Sequence, residues 1–438
     1  MAAVAGRSLV LSESRPLRYF TFFLLYFGQG LPLGVSQVAL PAWLVANGAN
    51  EAAVAAIIAT AFLPWSFKFI PAAVMDRYAY LAMGRRRAWL IGAQLLMVLG
   101  FAIAAVAAPG ADDLQLILYI VFMIGAGSAI QDVAVDGTAV DILADDEQGT
   151  ASAFMFGGQT VGRALSGAAA GFGLQYFGSQ ATFLFFTPVI LLITLYVVAY
   201  RERTGEKRFP WSPGAPSPVN LERHVGAWLP IFVTTLKSLA RIDSLKLLGG
   251  SALARCAGGM FATLWPIIAV ATVGFSTAGY SSMISTADLV MAILAIGIGS
   301  FMTSRMGPRH ASVLIHMTYA ALALFVLYGQ SVWAAVLPFI VMSAVWSMHD
   351  TLTSICTNPL RMQLSDPQVA ATQFTIYNSL SNLPVSFGAT LFALLGGTQE
   401  MASVLWVAAA LLFSGAMIYV WMKAGSRHIE AEPVPKVD

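Results

Sequence analysis

DRYAYLAMGRRR, residues 76 to 87, sets five charges between two apolar runs. The run before it, 51 to 75, and the run after it, 88 to 108, are each long enough to cross a ~30 Å hydrocarbon core as a helix. A short basic loop between two such runs belongs on the cytoplasmic face. SRMGPRH, residues 304 to 310, repeats the arrangement in shortened form later in the chain.

The rest of the sequence continues the pattern. Hydrophobic residues make up 58% and charged residues 11% of the 438, against roughly 25% charged in a soluble domain. Breaks at Gly, Pro, Asn or charged clusters predict an all-α membrane protein with twelve spans, at 18–46, 51–75, 88–108, 113–142, 148–177, 180–200, 246–273, 277–303, 310–329, 331–361, 369–395 and 401–423. The first 17 residues lack the pattern of a removable signal, so the first span is expected to insert the chain. Of the 24 Lys and Arg, only Lys68, Arg163 and Arg255 fall within spans away from their ends, and none falls on a loop of the other face. Both termini are therefore predicted to be cytoplasmic. Cys256 and Cys356 each lie inside an apolar run, with no spacing that suggests a metal or a disulfide.

RERTGEKRFPWSPGAPSPVNLERH (201 to 224) is too polar to enter the bilayer and is predicted to join two six-helix halves. GAWLPIFVTTLKSLAR (226 to 241), with Trp228, Phe232, Leu236 and Leu239 along one side, predicts an interfacial helix. The organisation expected is residues 1–200 and 246–423 as the two halves, 201–245 as the linker and 424–438 as a tail. LADDEQGTASAF (143 to 154) aligns with LSDPQVAATQF (364 to 374) after one gap, and PAWLVANGANEAA aligns with PIIAVATVGFSTAG. Such repeats are the mark of transporters built from duplicated halves.

The loop DRYAYLAMGRRR resembles the signature of the major facilitator superfamily, with Asp76, Arg77, Gly84, Arg85, Arg86 and Arg87 at the matching places. The spacing from Arg77 to Gly84 is wider than usual, as in one branch of the superfamily. GLPL (30 to 33), LPAWL (40 to 44), LPWSFKF (63 to 69), GRRRAW (84 to 89), QDVAVD (131 to 136) and ATQF (371 to 374) resemble that branch, the AmpG-type muropeptide permeases with the related acetyl-coenzyme A transporters. The resemblance implies a superfamily fold of two pseudo-symmetric six-helix halves and alternating access to a central cavity. It leaves the solute open, since QDVAVDG is closest to the acetyl-coenzyme A side, LPAWL, GRRRAW and ATQF lean to the muropeptide side, and some siderophore permeases resemble the same group.

A charge at a helix centre costs roughly 2.5–3.5 kcal/mol on insertion scales. Asp132, Asp136, Asp288, Asp350, Lys68, Arg163 and Arg255 are therefore predicted to face one another or water. At 100° per residue, Asp132 and Asp136 lie about 40° apart on a stripe with Gly125, Ser128 and Ala129, while Asp141 points to the opposite side near the helix end. The resemblance places that stripe, on the fourth helix, where solute passes. Depth counted at about 1.5 Å per residue pairs Asp136 with Lys68 and Asp132 with Arg163. Two carboxylates about 6 Å apart repel by roughly 2–3 kcal/mol at an effective dielectric of 20, which suits a pair that trades a proton as its basic partners move. Asp132, Asp136, His349 and Asp350 are thus the proton-coupling candidates, with Lys68, Arg163 and Arg255 as charge partners. His316 lies outside the helices expected to line the cavity.

Neutral polar groups supply the candidate solute contacts: Tyr26, Gln29 and Gln37 on the first helix, Ser128 on the fourth, Gln159 on the fifth, Trp265 on the seventh, and Asn378 and Asn382 on the eleventh. Hydrogen bonding between helices is the alternative use of the same groups. Trp65 and Trp346 join Trp265 as rings that can stack on a sugar or pack in the core. Asp76, at a helix end, is expected to meet the positive N-terminal end of the eleventh helix and, with Arg77, Gly84, Arg85 and Arg86, to form a cytoplasmic gate. Three basic against four acidic groups within the spans speak against a multiply phosphorylated solute. The function expected is secondary active import of a muropeptide-like solute with protons, by a monomer in lipid at the bacterial inner membrane, without metal, cofactor or nucleic acid. Siderophore or acetyl-coenzyme A transport is the alternative. An intramembrane prenyltransferase would need a second Asp-rich helix, which the sequence lacks.

Overall fold

The computed structural model describes residues 9–222, 228–365 and 370–423. Among them the chain is helical and no strand is formed. Before the linker come α1 (Arg15–Ala46), α2 (Glu51–Arg77), α3 (Arg87–Ala107), α4 (Leu114–Ile142), α5 (Gln148–Tyr176) and α6 (Gly178–Ala199). After it come a 12-residue helix α7 (Trp228–Leu239), then α8 (Ile242–Val273), α9 (Thr277–Tyr328), α10 (Val336–Leu364), α11 (Ala370–Leu380), α12 (Leu383–Leu394) and α13 (Met401–Val420).

Among the described residues, eight helical segments are long and apolar enough to cross a membrane. α5 and α10, at 29 residues each, are as long but more polar. α9 counts once in that number although Gly307, at φ 79° and followed by Pro308, breaks it into two rods. This is the SRMGPRH stretch, where the left-handed backbone requires glycine and proline removes a helical donor. Helix starts follow local chemistry as well, with the Ser14 and Asn50 side chains accepting from the backbone N–H of Leu17 and Ala53.

The helices pack in a repeated scheme. α1 lies on α5 as α8 lies on α12, and α3 lies on α6 as the second rod of α9 lies on α13. Between the two sets, α5 meets the first rod of α9, and α2 meets α12. Small residues permit these approaches. A Cβ on Gly162 would sit 2.2 Å from the Phe27 carbonyl oxygen of α1, and one on Gly171 would sit 2.3 Å from Ser281 of α9. The glycines of GGQTVGRALSGAAAGFG therefore serve two interfaces from opposite sides of α5.

α1 and α8 each change to π-helix, at Val35–Ala39 and Ile268–Val273. α2 breaks at Phe67 and Lys68, and α11 gives way to α12 at Ser381 and Asn382. Such irregular backbone at membrane depth is tolerated where it lines a cavity or is buried in protein. α7 forms where an interfacial helix is expected. Its buried side is Thr235, Ser238 and Leu239, while Val233 and Leu236 are exposed; the side chains of Trp228 and Phe232 lie outside the description.

Candidate functional site

α1 and α4 run antiparallel, so Tyr26 comes opposite Asp136 and Gln29 opposite Asp132. The Tyr26 hydroxyl donates to Asp136 Oδ1. Gln29 Nε2 donates to Asp132 Oδ1 at 2.7 Å, and Lys68 Nζ reaches Asp132 Oδ2 at 2.6 Å. The Lys68 ammonium also lies 5.7 Å from the centre of the Trp65 ring. Ser128 Oγ donates to the Gln29 carbonyl at 3.2 Å, and Gln131 Nε2 to the Leu25 carbonyl at 2.5 Å.

Asp132 is buried and Asp136 exposed. The angular stripe on α4 thus holds two carboxylates in different settings, one clamped by a cation and an amide, the other open and held by a neutral phenol. Gln29 and Ser128 are fully buried, so their hydrogen bonds orient Asp132 and its helix. Gln37, on the π-helical part of α1, and Gln159 are half-buried.

The pairing of cations differs from the depth-based expectation in both cases. Lys68 meets Asp132 rather than Asp136. Arg163 lies 3.4 Å from Asp288 of α9 rather than beside Asp132. Counting 1.5 Å per residue assumes unbroken helices, whereas α2 breaks at Lys68 itself. For Arg163, the α5 backbone is pressed against Gly30 and Gly34 of α1, and the side chain runs to the interface with α9.

In the later helices, Arg255 Nη1 donates to Asp350 Oδ1, and its Nη2 donates to Asn382 Oδ1 at 3.0 Å. The Asp350 side chain is 66% exposed although it stands in mid-helix. Bonded to an arginine of a neighbouring helix, it faces an internal aqueous space rather than lipid. His349 beside it is buried, 4.6 Å from the Tyr319 ring and stacked on Trp346 at 5.5 Å. Its Nε2, like that of His316 6.1 Å away, has no hydrogen-bond partner among the described residues.

Trp265 is buried against Phe261, Phe339 and Trp346. Its faces are taken up by packing, and its indole N–H is unpartnered among the described residues. Two separate cavities lie away from these charges. One, of about 520 Å³, is apolar and lies between α9 and α10; the other, of about 450 Å³, lies between Asn50, Glu51, Ile267 and Gly396.

Arg361 of α10 is the last residue of the span read as 331–361. It is only 4% exposed. Its Nη1 donates to Asn358 Oδ1 at 3.0 Å and to Asn378 Oδ1, and its Nη2 to Ser381 Oγ at 3.1 Å. With Lys68, Arg163 and Arg255 set against Asp132, Asp136, Asp288 and Asp350, Arg361 makes the count four cations to four carboxylates. A net charge of zero still offers no surplus for a multiply phosphorylated solute.

The loop of residues 76 to 87 lies at one end of the bundle. Asp76 pairs with Arg86, and Asp141 lies 3.6 Å from Arg86 and 3.9 Å from Arg85. Arg77 lies over the Tyr78 ring. The expected meeting of Asp76 with the start of the eleventh span cannot be placed, because residues 366–369 lie outside those described; the last turns of α2 do pack on α11.

One residue of this end, Glu202, has no place in the motif reading. The Glu202 carboxylate accepts from the backbone N–H of Arg85, Arg86 and Arg87 at 2.6–2.9 Å. Gly84, at φ 101°, leaves it room, since a Cβ there would fall 2.5 Å from the carboxylate. Arg87 is fully buried and donates to the carbonyls of Val197, Val198, Lys207 and Arg208. Burial raises the Glu202 carboxyl above its ordinary value and pushes Glu206 up to about 7.

At the far end of the bundle, the Glu51 carboxylate accepts from the Thr398 backbone N–H at 2.8 Å and from its hydroxyl. Gln175 Oε1 accepts from the Ala278 N–H at 2.8 Å. These bonds tie helices before the linker to helices after it.

The family model described as the Major Facilitator Superfamily matches residues 20–389. An anhydromuropeptide permease of Escherichia coli (strain K12) is 30% identical over 146 residues, 33% of this chain and 29% of that protein. A protein of Rickettsia conorii (strain ATCC VR-613 / Malish 7) named putative transporter AmpG 4 is 27% identical over 191 residues, 42% of this chain and 46% of its own. Each match thus spans less than half of the relative's length. Among solved structures, a peptide transporter in complex with sulfate superposes with a TM-score of 0.68 at 13% identity, over 92% of this chain and 93% of that one. That likeness concerns the fold.

Proposed function

The chain belongs to the Major Facilitator Superfamily, and from that premise we propose that it imports a muropeptide-like solute together with protons by alternating access. It is a multi-pass membrane transporter rather than an enzyme. The observation that carries proton coupling is the pair on α4: Asp132 held by Lys68 and Gln29, and Asp136 exposed and met by the neutral Tyr26. A proton on Asp136 breaks no ion pair, so the group can load and release one without collapsing its surroundings. Asp132 keeps Lys68 charged and in place meanwhile.

The muropeptide reading draws on the partial likeness to the E. coli anhydromuropeptide permease and on a polar lining of amides and carboxylates suited to sugar hydroxyls and peptide groups. The positive-inside rule puts the 76–87 loop, the linker and both termini in the cytoplasm of a bacterial inner membrane. The gate is Asp76, Arg85 and Arg86, braced by Glu202 through Gly84.

Uptake of an anhydro-muropeptide into proteoliposomes, with and without an imposed proton gradient, tests this. Gradient-driven accumulation is expected in the native protein and is expected to fail in Asp136→Asn. Undiminished gradient-driven uptake in both Asp132→Asn and Asp136→Asn refutes the coupling role, and uptake of a ferric siderophore or acetyl-coenzyme A in preference to the muropeptide refutes the solute.

A further inference from the structure

The four cations Lys68, Arg163, Arg255 and Arg361 and the four carboxylates Asp132, Asp136, Asp288 and Asp350 do not cancel pair by pair. Lys68 contacts Asp132, Arg163 contacts Asp288 and Arg255 contacts Asp350. Asp136 and Arg361 remain, each with neutral hydrogen-bond partners. One lies before the linker and is negative; the other lies after it and is positive.

Positive-inside topology explains why an arginine occurs near this end of α10. It does not explain why that arginine is buried against two asparagines and a serine, because a snorkelling side chain would reach for water. A buried cation is ordinarily given a counter-ion.

The chemistry of the partners is informative. A guanidinium only donates, so Asn358 and Asn378 must both turn their Oδ1 atoms toward Arg361, and this fixes the orientation of both amides. That leaves their Nδ2 groups unused by the arginine. Both asparagines are half-buried, and among the described residues neither Nδ2 donates to a protein acceptor; the Asn378 backbone carbonyl accepts from Asn382 Nδ2 at 3.1 Å. Three of the five N–H donors of Arg361 are used, and its Nε is not among the enclosed unpartnered atoms. The result is a cluster of unspent donors around a guanidinium that has no carboxylate in contact with it among the described residues, with α10 and α11 supplying one amide each.

We propose that Arg361, Asn358 and Asn378 form the subsite that receives a carboxylate of the transported solute. The inference rests on the reading of this bundle as a solute carrier and adds which chemical group is recognised, and where. One guanidinium with no carboxylate in contact, flanked by amide donors, matches a planar monoanion; a doubly charged phosphate would call for a second free cation, and the neighbouring Arg255 and Lys68 are already engaged. Asp136, on the other side, leaves an acceptor for a donor group or a proton. A solute with a carboxylate at one end is thereby oriented across the bundle, and its charge neutralises Arg361 as it binds.

The test uses the purified full-length protein and two matched probe pairs. The first pair is an anhydro-muropeptide and the same compound with its carboxyl groups amidated. The second is N-acetyl-alanyl-glutamate and its amide. Binding is read as thermal stabilisation over a titration. The native protein is expected to prefer the acid of at least one pair by about tenfold or more, the size of a charge-assisted hydrogen-bond pair. Arg361→Gln should erase that preference. Asn378→Asp should also erase it, by placing a carboxylate of the protein beside Arg361, and should raise the melting temperature, which separates loss of the subsite from misfolding.

If the muropeptide binds but acid and amide bind alike, or if Arg361→Gln keeps the preference, the subsite is refuted while the solute reading stands. If only the dipeptide acid binds, in an Arg361-dependent way, the subsite stands and the muropeptide reading falls. If neither pair binds the native protein, both fall.

Discussion

Replacing Lys68 by glutamine removes the cation 2.6 Å from Asp132 Oδ2 and leaves Gln29, at 2.7 Å, as the carboxylate's remaining side-chain partner. Loss of one partner from a buried pair costs about 3–5 kcal/mol. Lys68→Gln is therefore expected to destabilise by about 3–5 kcal/mol. Asp132→Asn strands the Lys68 ammonium in the same way and should cost a similar amount. The double variant should recover about 2–3 kcal/mol relative to the sum of the singles. Steric trapping in bicelles measures each unfolding free energy. Singles that add within about 0.5 kcal/mol would refute the pairing.

Tyr26→Phe removes the hydroxyl that meets Asp136 and should lower gradient-driven uptake by about tenfold or more, the worth of a hydrogen bond to a charged group, while solute counterflow without a gradient persists; equal loss of both activities would assign Tyr26 to the solute instead. Gly162→Ala drives a Cβ to 2.2 Å from the Phe27 carbonyl and is expected to cost at least about 1–3 kcal/mol in the same trapping assay, whereas Gly157→Ala, with open space around it, should be silent. Glu206 has a folded value of about 7 against an ordinary 4.5. An acid raised in this way binds an extra proton in the native state, so its contribution is whole below about pH 4.5 and is lost as pH rises through about 7, at most about 3 kcal/mol. Backbone hydrogen exchange in residues 203–220 should accelerate over that window, and Glu206→Gln should flatten the profile.

The sequence disclosed which groups are unusual more readily than how they meet. Charges inside apolar runs announce themselves, so Asp132, Asp136, Lys68, Arg163, Arg255 and Asp350 were all identifiable, and the 3.6-residue period put the first two on one stripe and Asp141 at the helix end. Pairing was not legible, because it depends on where helices break, and the turn at Phe67 and Lys68 interrupts a run that reads as continuous. Arg361 was hidden by its address: an arginine at a span end satisfies the topology rule whether it faces water or protein. Glu202 left little trace, since its partners are backbone N–H groups. Gly84 was noticed as part of a motif, yet the reason for it is the carboxylate that lies against it.

The two helix breaks give the charges mechanical leverage. Lys68 stands where α2 restarts, and Asn382, which accepts from Arg255, stands where α11 yields to α12. α2 and α12 pack on each other, joined by a bond of 2.7 Å from Ser386 Oγ to the Ala59 carbonyl. That bond lies on the unbroken stretch of α2, so residues 51–66 are fixed to the opposite set of helices, while Phe69–Arg77 depends on Lys68, on α11 and on the Arg86 pair of Asp76. Neutralising Asp132 should therefore loosen only the part beyond the break. Asp132→Asn is expected to speed backbone hydrogen exchange across 67–77 and leave 51–66 protected. Uniform acceleration from 51 to 77 would mean that α2 moves as one rod, and the link between the carboxylate's charge and the 76–87 gate would be lost with it.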